Sequence, residues 1–82
     1  MRVLPTRLPG LLTIEPVAHG DERGFFCETY RAEWHAELGL AEGERFVQDN
    51  HSRSARGVLR GMHFQLGEGV AKLVRCARGR IL

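Results

Sequence analysis

The chain has 82 residues, a formal net charge of +2 at pH 7 and 43% hydrophobic residues. This length allows at most one small domain, in which only about 60% of the unfolded chain's surface can be buried. No apolar segment is long enough to span a membrane, and the opening residues lack the apolar core of a secretory leader, so we expect a cytoplasmic protein.

The charges are distributed unevenly along the chain. Most of the acidic residues precede residue 50, whereas from residue 51 onward Glu68 is the only acid among seven basic residues. A basic half suggests an anionic partner, although exposed arginines are more often part of a solvated surface. The charge pattern therefore leaves both interpretations open.

The hydrophobic pattern predicts mainly strands. Ten glycines and three prolines favour many turns and hence β-structure over a helical bundle. In chain order, the alternating segments predict five strands, at 11–17, 24–30, 46–50, 58–65 and 70–77. Turns are expected at 19–24 and 52–57, and one helix is expected at 31–38, with Gly39 as its C-cap.

The segment 46–65 carries polar groups where an ordinary strand carries Thr, Val or Tyr. Gln48 and Asn50 share one face of their predicted strand, because side chains alternate with a period of two. Arg60 and His63 follow in the next predicted strand, and Lys72 shares a face with apolar residues in the strand after that. Such groups are costly to bury unless they are paired or face a ligand, which predicts the wall of a polar pocket.

The polar residues suggest proton-transfer chemistry more than other kinds of site. A metal site would need about three convergent ligands, and His63 has no second histidine at ligand spacing. Nucleic-acid binding is a weaker hypothesis, because no aromatic-basic motif is present. A histidine base, a lysine that stabilises an oxyanion and arginines for a diphosphate would together suit proton abstraction beside a carbonyl. The simpler alternative for His63 is a core histidine with one hydrogen bond.

Regular alternation raises a geometric difficulty within this segment. Arg60 and His63 are an odd number of residues apart, so an ideal strand would direct them to opposite faces. Gly61 lies between them and could form a β-bulge that turns one side chain toward the other. We therefore predict a bulge at Gly61.

At these residues the chain resembles the dTDP-4-dehydrorhamnose 3,5-epimerase family, in the segments GDERGFFCETY, FVQDNHSRSARGVLRGMHFQ and AKLVRCARGRI. The resemblance implies an all-β cupin or jelly roll, of which 1–82 would be the N-terminal portion of a single domain, ending before closure. It also implies epimerisation of a dTDP-linked keto-sugar at carbons 3 and 5, without a metal or other cofactor. The resemblance further implies that the full-length protein is a homodimer with exchanged N-terminal strands. Neither nucleic acid nor a membrane is an expected partner.

The resemblance also assigns roles to individual residues. His63 resembles the general base, and Lys72 resembles the residue beside the 4-keto oxygen. The expected substrate-binding residues are Arg23, Phe26, Glu28, Gln48, Asp49, Asn50 and Arg60. Of these, Arg23, Phe26 and Glu28 would reach the nucleotide, often across a dimer interface; for one of Phe25 and Phe26 plain core packing is expected.

The resemblance implies a full chain about twice as long, near ordinary domain size. In the family the second half supplies a tyrosine general acid and an aspartate that orients the histidine. Because such groups act as a unit, we expect the chain alone to be nearly inactive. The alternatives are a truncated cupin that binds a nucleotide sugar, or forms an interface, without turnover, and, more weakly, a basic module for nucleic acid.

Overall fold

The computed structural model describes residues 1–82. The chain divides into two compact units, Met1–Arg45 and Phe46–Leu82. All of the regular secondary structure belongs to the first unit, which contains four strands and one short helix. No helix in the structure combines the length and the apolar character needed to cross a lipid bilayer.

The first hairpin pairs β1, Arg2–Pro5, with β2, Leu12–Glu15, in antiparallel register. Its connection contains a turn in which the Leu11 amide donates to the Leu8 carbonyl at 3.1 Å, with Gly10 at φ +81°. Proline followed by a glycine with positive φ is typical of a type II turn. The pattern of alternation did not predict β1, whereas β2 confirms the centre of the predicted strand 11–17.

The second hairpin pairs β3, Ala18–Asp21, with β4, Gly24–Cys27. Its two-residue loop is Glu22–Arg23, and Gly24 follows with φ +128°. The predicted turn at 19–24 was therefore too long, because β3 occupies its first half. The predicted strand 24–30 forms only as far as Cys27.

The predicted helix at 31–38 is a single 3₁₀ turn, Ala32–His35, so the expected length was wrong. The following residues close in a Schellman motif: the Leu40 amide donates to the His35 carbonyl at 3.0 Å, and the Gly39 amide to the Ala36 carbonyl at 3.3 Å. Gly39 has φ +71°, which confirms it as the capping residue. Trp34 is the only buried residue of the chain, with 8% of its surface exposed.

The second unit contains no helix or strand, so the strands predicted at 46–50, 58–65 and 70–77 are absent. The β-bulge predicted at Gly61 is absent too, since there is no strand ladder in which it could form. The predicted turn is confirmed, because the Val58 amide donates to the Ala55 carbonyl at 3.3 Å.

Apolar side chains of this unit lie in solvent, with Met62 98% and Leu59 90% exposed. A strand is stable only when its backbone groups pair with a neighbour and one face is covered. Neither condition is met in 46–82, although the sequence alternates. The structure as a whole is nevertheless all-β, with two antiparallel sheets and almost no helix, which confirms the predicted class and is consistent with part of a cupin.

Candidate functional site

The tip of the second hairpin is fixed by an aspartate–arginine pair. The Arg23 backbone amide donates to Asp21 Oδ1 at 2.8 Å, and Arg23 Nε donates to Asp21 Oδ2 at 3.1 Å. These side-chain and backbone hydrogen bonds lower the pKa of Asp21 and, in turn, the aspartate raises the pKa of Arg23. The Arg23 side chain is nevertheless 87% exposed, so guanidinium N–H groups that do not bond to Asp21 remain accessible to a ligand.

A cleft of about 280 Å³ opens in the first unit beside β3 and β4. Its walls combine two aromatic rings, an imidazole, a carboxylate and apolar side chains, from the residues Met1, Val17, His19, Phe26, Glu28 and Trp34. His19 and Phe26 are direct partners in the register of the second hairpin. The structure therefore brings together Phe26 and Glu28, two residues that the resemblance assigned to the nucleotide, while Arg23 does not line this cleft.

His19 and Trp34 were not predicted as site residues. His19 falls in the segment that was expected to be a turn, and its strand pairing is what places it opposite Phe26. Trp34 was expected to be on the apolar face of a helix, which fits its burial. The available sequence signal was the alternation of His19 with Val17, since both line the cleft.

Phe25 and Phe26 differ in position but not in exposure. Phe25 is 79% exposed and Phe26 is 73% exposed, so the expectation that one of them packs in the core was wrong. The two side chains alternate along β4, and only Phe26 lines the cleft. The two rings therefore lie on opposite faces of β4, and a ligand in the cleft would contact Phe26 and not Phe25.

A pair of carboxylates flanks Arg31, next to the cleft. Arg31 Nε lies 3.8 Å from Glu28 Oε1 and 3.2 Å from Glu33 Oε2. The hydrogen bond from its own backbone, followed by the nearby charge of Arg31, lowers the pKa of Glu33. Arg31 thus pairs with Glu28, a residue that also lines the cleft.

The remaining predicted site residues belong to the second unit, and all of their side chains are exposed: Gln48, Asp49, Asn50, Arg60, His63 and Lys72. Arg60 is the one that is anchored, with Nε donating to Ser54 Oγ at 2.7 Å and Nη2 to the Arg53 carbonyl at 3.5 Å. No hydrogen bond or ion pair joins these six side chains to each other. No group of three or more histidine, cysteine, aspartate or glutamate side chains is placed to hold a metal ion.

Comparison with known proteins extends over nearly the whole chain. The family profile described as dTDP-4-dehydrorhamnose 3,5-epimerase matches residues 5–82. A relative of that name from Salmonella typhimurium is 51% identical over 82 residues, which are 99% of this chain and 44% of the relative. Another, from Methanothermobacter thermautotrophicus, is 51% identical over 80 residues, 98% of this chain and 42% of the relative.

A more distant relative carries a different name. The protein from Streptomyces niveus named dTDP-4-dehydrorhamnose 3-epimerase is 39% identical over 82 residues, 99% of this chain and 39% of the relative. No solved structure gives a significant match. The chain spans less than half the length of these curated relatives. The family profile and the identities agree with the three motifs recognised in the sequence, and the chain belongs to the dTDP-4-dehydrorhamnose 3,5-epimerase family.

Proposed function

We propose that the chain provides the N-terminal part of a dTDP-4-dehydrorhamnose 3,5-epimerase domain and acts on a dTDP-linked 4-keto-sugar. The observation that carries this proposal is the 51% identity over 82 residues to the Salmonella typhimurium relative of that name. Residues 1–82 would belong to one cupin-type domain, and the protein would function in the cytoplasm. Neither nucleic acid nor a membrane surface is among the proposed partners.

The proposed reaction is proton transfer beside a carbonyl. Carbons 3 and 5 both adjoin the 4-keto group, so the proton on each is acidic and its removal gives an enolate. His63 would remove these protons, because histidine is the usual general base near neutral pH. Lys72 would stabilise the negative charge that develops on the keto oxygen. Reprotonation from the opposite face of the ring, by the tyrosine general acid that the resemblance places in the second half of the domain, would complete each inversion, and no cofactor takes part.

The other predicted residues would bind the substrate. Gln48, Asp49 and Asn50 form one short segment of amides and a carboxylate that can bond to sugar hydroxyls. Arg60 would bind the diphosphate, because a guanidinium pairs with phosphate oxygens in a bidentate manner. The hydrogen bonds of Arg60 to Ser54 and to the Arg53 carbonyl support this role, since they hold the side chain while other donors remain for a ligand.

Arg23, Phe26 and Glu28 would contact the nucleotide. Phe26 and Glu28 line one cleft with an aromatic and a carboxylate surface, which supports this assignment. We further propose that the protein is a homodimer that exchanges N-terminal strands. The exposure of both Phe25 and Phe26 supports this, because aromatic side chains are enriched in protein–protein interfaces.

The test is a chimera in which residues 1–82 replace the matching segment of the Salmonella typhimurium relative. In deuterated water we expect deuterium to enter carbons 3 and 5 of the keto-sugar, and the His63→Ala chimera to lose at least a thousandfold in rate, as expected for loss of a residue of a catalytic unit. His51→Ala is the matched control and should retain activity. A His63→Ala chimera that keeps the parent rate would refute His63 as the base.

The same measurement separates the two names found among the relatives. Exchange at both carbons identifies a 3,5-epimerase, whereas exchange at carbon 3 alone identifies the activity named for the Streptomyces niveus protein. We expect both, because the relatives that are 51% identical carry the 3,5 name.

The second candidate function is binding without turnover by the chain on its own. The observation that favours it is the contrast between the two units: the cleft with Phe26 and Glu28 is formed, whereas His63 and Lys72 are exposed on a segment without strands. We expect the isolated chain to bind dTDP and to show no deuterium exchange above buffer. Exchange that depends on His63 in the isolated chain would contradict this second candidate.

A further inference from the structure

Arg60 differs from the other arginines whose side chains make hydrogen bonds. Each of those others pairs with a carboxylate: Arg2, Arg23 and Arg31. Arg60 instead donates to two uncharged acceptors, the Ser54 hydroxyl at 2.7 Å and the Arg53 carbonyl at 3.5 Å. No carboxylate neutralises Arg60, so its side chain is held in place while its full charge remains for an anion.

A local turn brings Arg60 to Ser54. The Val58 amide donates to the Ala55 carbonyl at 3.3 Å, and Gly57 between them has φ +84°. A glycine with positive φ at the third position is typical of a type II turn. The turn reverses the chain, so that Arg60 meets a hydroxyl six residues earlier in the sequence. This contact therefore depends only on the segment 53–60 and needs no strand.

The two hydrogen bonds occupy one edge of the Arg60 guanidinium. The N–H group of Nε and one N–H group of Nη2 point in parallel from the side of this planar group, and they donate to Ser54 and Arg53. The terminal edge carries a second parallel pair, one N–H group on Nη1 and the other on Nη2. Such a pair matches two oxygens of one phosphate group. The terminal edge is therefore the one that can bind a phosphate in a bidentate manner.

We infer that Ser54 is a positioning residue, which holds Arg60 so that the terminal edge of its guanidinium binds a phosphate group of the substrate. The phosphate as ligand rests on the proposed function, in which Arg60 binds the diphosphate. Ser54 acts through Arg60 and does not touch the substrate. An arginine side chain loses rotational freedom when it binds a ligand, and a hydroxyl that has already fixed the side chain removes part of this loss.

Serine variants test the hydrogen bond to Arg60. Ser54→Ala removes the acceptor, so we expect inorganic pyrophosphate to bind the chain about threefold to tenfold more weakly in calorimetry, the range of one hydrogen bond. Ser54→Thr keeps the hydroxyl and should restore the affinity. Ser52→Ala is the matched control, because Ser52 is an exposed serine of the same segment that does not bond to Arg60. It should bind pyrophosphate as the parent chain does.

The chimera with the Salmonella typhimurium relative separates positioning from catalysis. The diphosphate takes no part in the chemistry, so we expect Ser54→Ala to raise KM about threefold to tenfold and to leave kcat unchanged. Arg60→Lys should also raise KM, whereas His63→Ala should lower kcat. Ser54→Thr should return KM to the parent value, which a change in the fold of the loop would not explain.

The Nε–H signal of Arg60 reports the contact directly in NMR of the ¹⁵N-labelled chain. We expect this proton to exchange with water more slowly than the Nε–H of Arg56, because only Arg60 donates to a serine. The protection should be lost in Ser54→Ala and kept in Ser54→Thr. Added pyrophosphate should shift the Nη signals of Arg60 more than its Nε signal, since the ligand binds at the terminal edge.

Two results would overturn the inference. One is a parental KM in the Ser54→Ala chimera together with a raised KM in Arg60→Lys, which refutes Ser54 and leaves the proposed role of Arg60 standing. The other is a larger shift of Nε than of Nη on addition of pyrophosphate, because the ligand would then displace Ser54 from the side edge. A parental KM in Arg60→Lys would refute the diphosphate assignment as well, while deuterium exchange still tests His63.

Discussion

His19 on β3 and Phe26 on β4 are direct cross-strand partners, and both line the cleft that also contains Trp34. Directly opposed residues on one face of a hairpin have Cβ atoms about 4.5–5.5 Å apart, so the two side chains form one continuous surface. The two-residue loop Glu22–Arg23 sets this register. A change in loop length would therefore separate the two residues and remove one wall of the cleft.

Phe25 and Phe26 provide a matched pair for the nucleotide contact. We expect Phe26→Ala to weaken binding of dTDP to the chain about tenfold or more, since stacking of a base on an aromatic ring contributes about 1–3 kcal/mol. Phe25→Ala removes an equally exposed ring of the same strand that does not line the cleft, and it should leave the affinity unchanged. Calorimetric titration measures both, and equal losses in the two variants would contradict the assignment of Phe26.

The titration of Asp21 tests the pairing at the hairpin tip. Hydrogen bonds from Arg23 lower the pKa of Asp21 in the folded chain. A lowered pKa means that the carboxylate stabilises the fold above its unfolded pKa of about 3.9, and that this contribution is lost as the pH falls through the lower folded value. The effect on stability is small, because the pair is exposed to solvent.

Carbon-detected NMR of the Asp21 carboxyl measures this directly. We expect a midpoint below the ordinary aspartate value in the parent chain and a shift upward in Arg23→Ala. Arg7→Ala removes an exposed arginine that makes no contact with Asp21 and should leave the midpoint where it is. An unchanged midpoint in Arg23→Ala would show that the pair does not form in solution.

Arg60 and Arg56 test the diphosphate assignment in the second unit. Arg60→Lys keeps the charge but loses the planar fork, so we expect inorganic pyrophosphate to bind about tenfold more weakly. Arg56→Lys is the matched control, because Arg56 is exposed and lies in the same segment. Equal affinities of the two variants, measured by calorimetry at one fixed salt concentration, would exclude a specific role for Arg60.

Gly39 and Gly20 test the cap of the 3₁₀ turn. Gly39 has φ +71°, a conformation that costs an ordinary residue about 1–2 kcal/mol. We expect Gly39→Ala to lower the free energy of unfolding of the first unit by about 1 kcal/mol, followed by Trp34 emission in urea. Gly20→Ala should be nearly neutral, because a Cβ there meets only the Gly24 carbonyl, at 3.7 Å. A loss of stability in Gly20→Ala as large as that in Gly39→Ala would contradict this reasoning.

The sequence by itself determined those features that depend on local chemistry. Gly39 as a cap and Gly57 in a turn follow from the ability of glycine to adopt positive φ, and the structure has both. The three motifs identify the family, because the order and chemistry of their residues can be read from the sequence without any tertiary contact. The all-β class follows from alternation and from the many glycines.

Only the tertiary structure decided which alternating segments become strands. Segments 12–15 and 24–27 have hydrogen-bonded partners and form β2 and β4, whereas 58–65 and 70–77, which were also predicted to be strands, have no paired neighbour. Alternation reports which side chains could share a face, but strand formation requires a second strand to satisfy the backbone. For the same reason, the cleft joins His19, Phe26 and Trp34 through a register and a turn that their spacing in the sequence does not reveal.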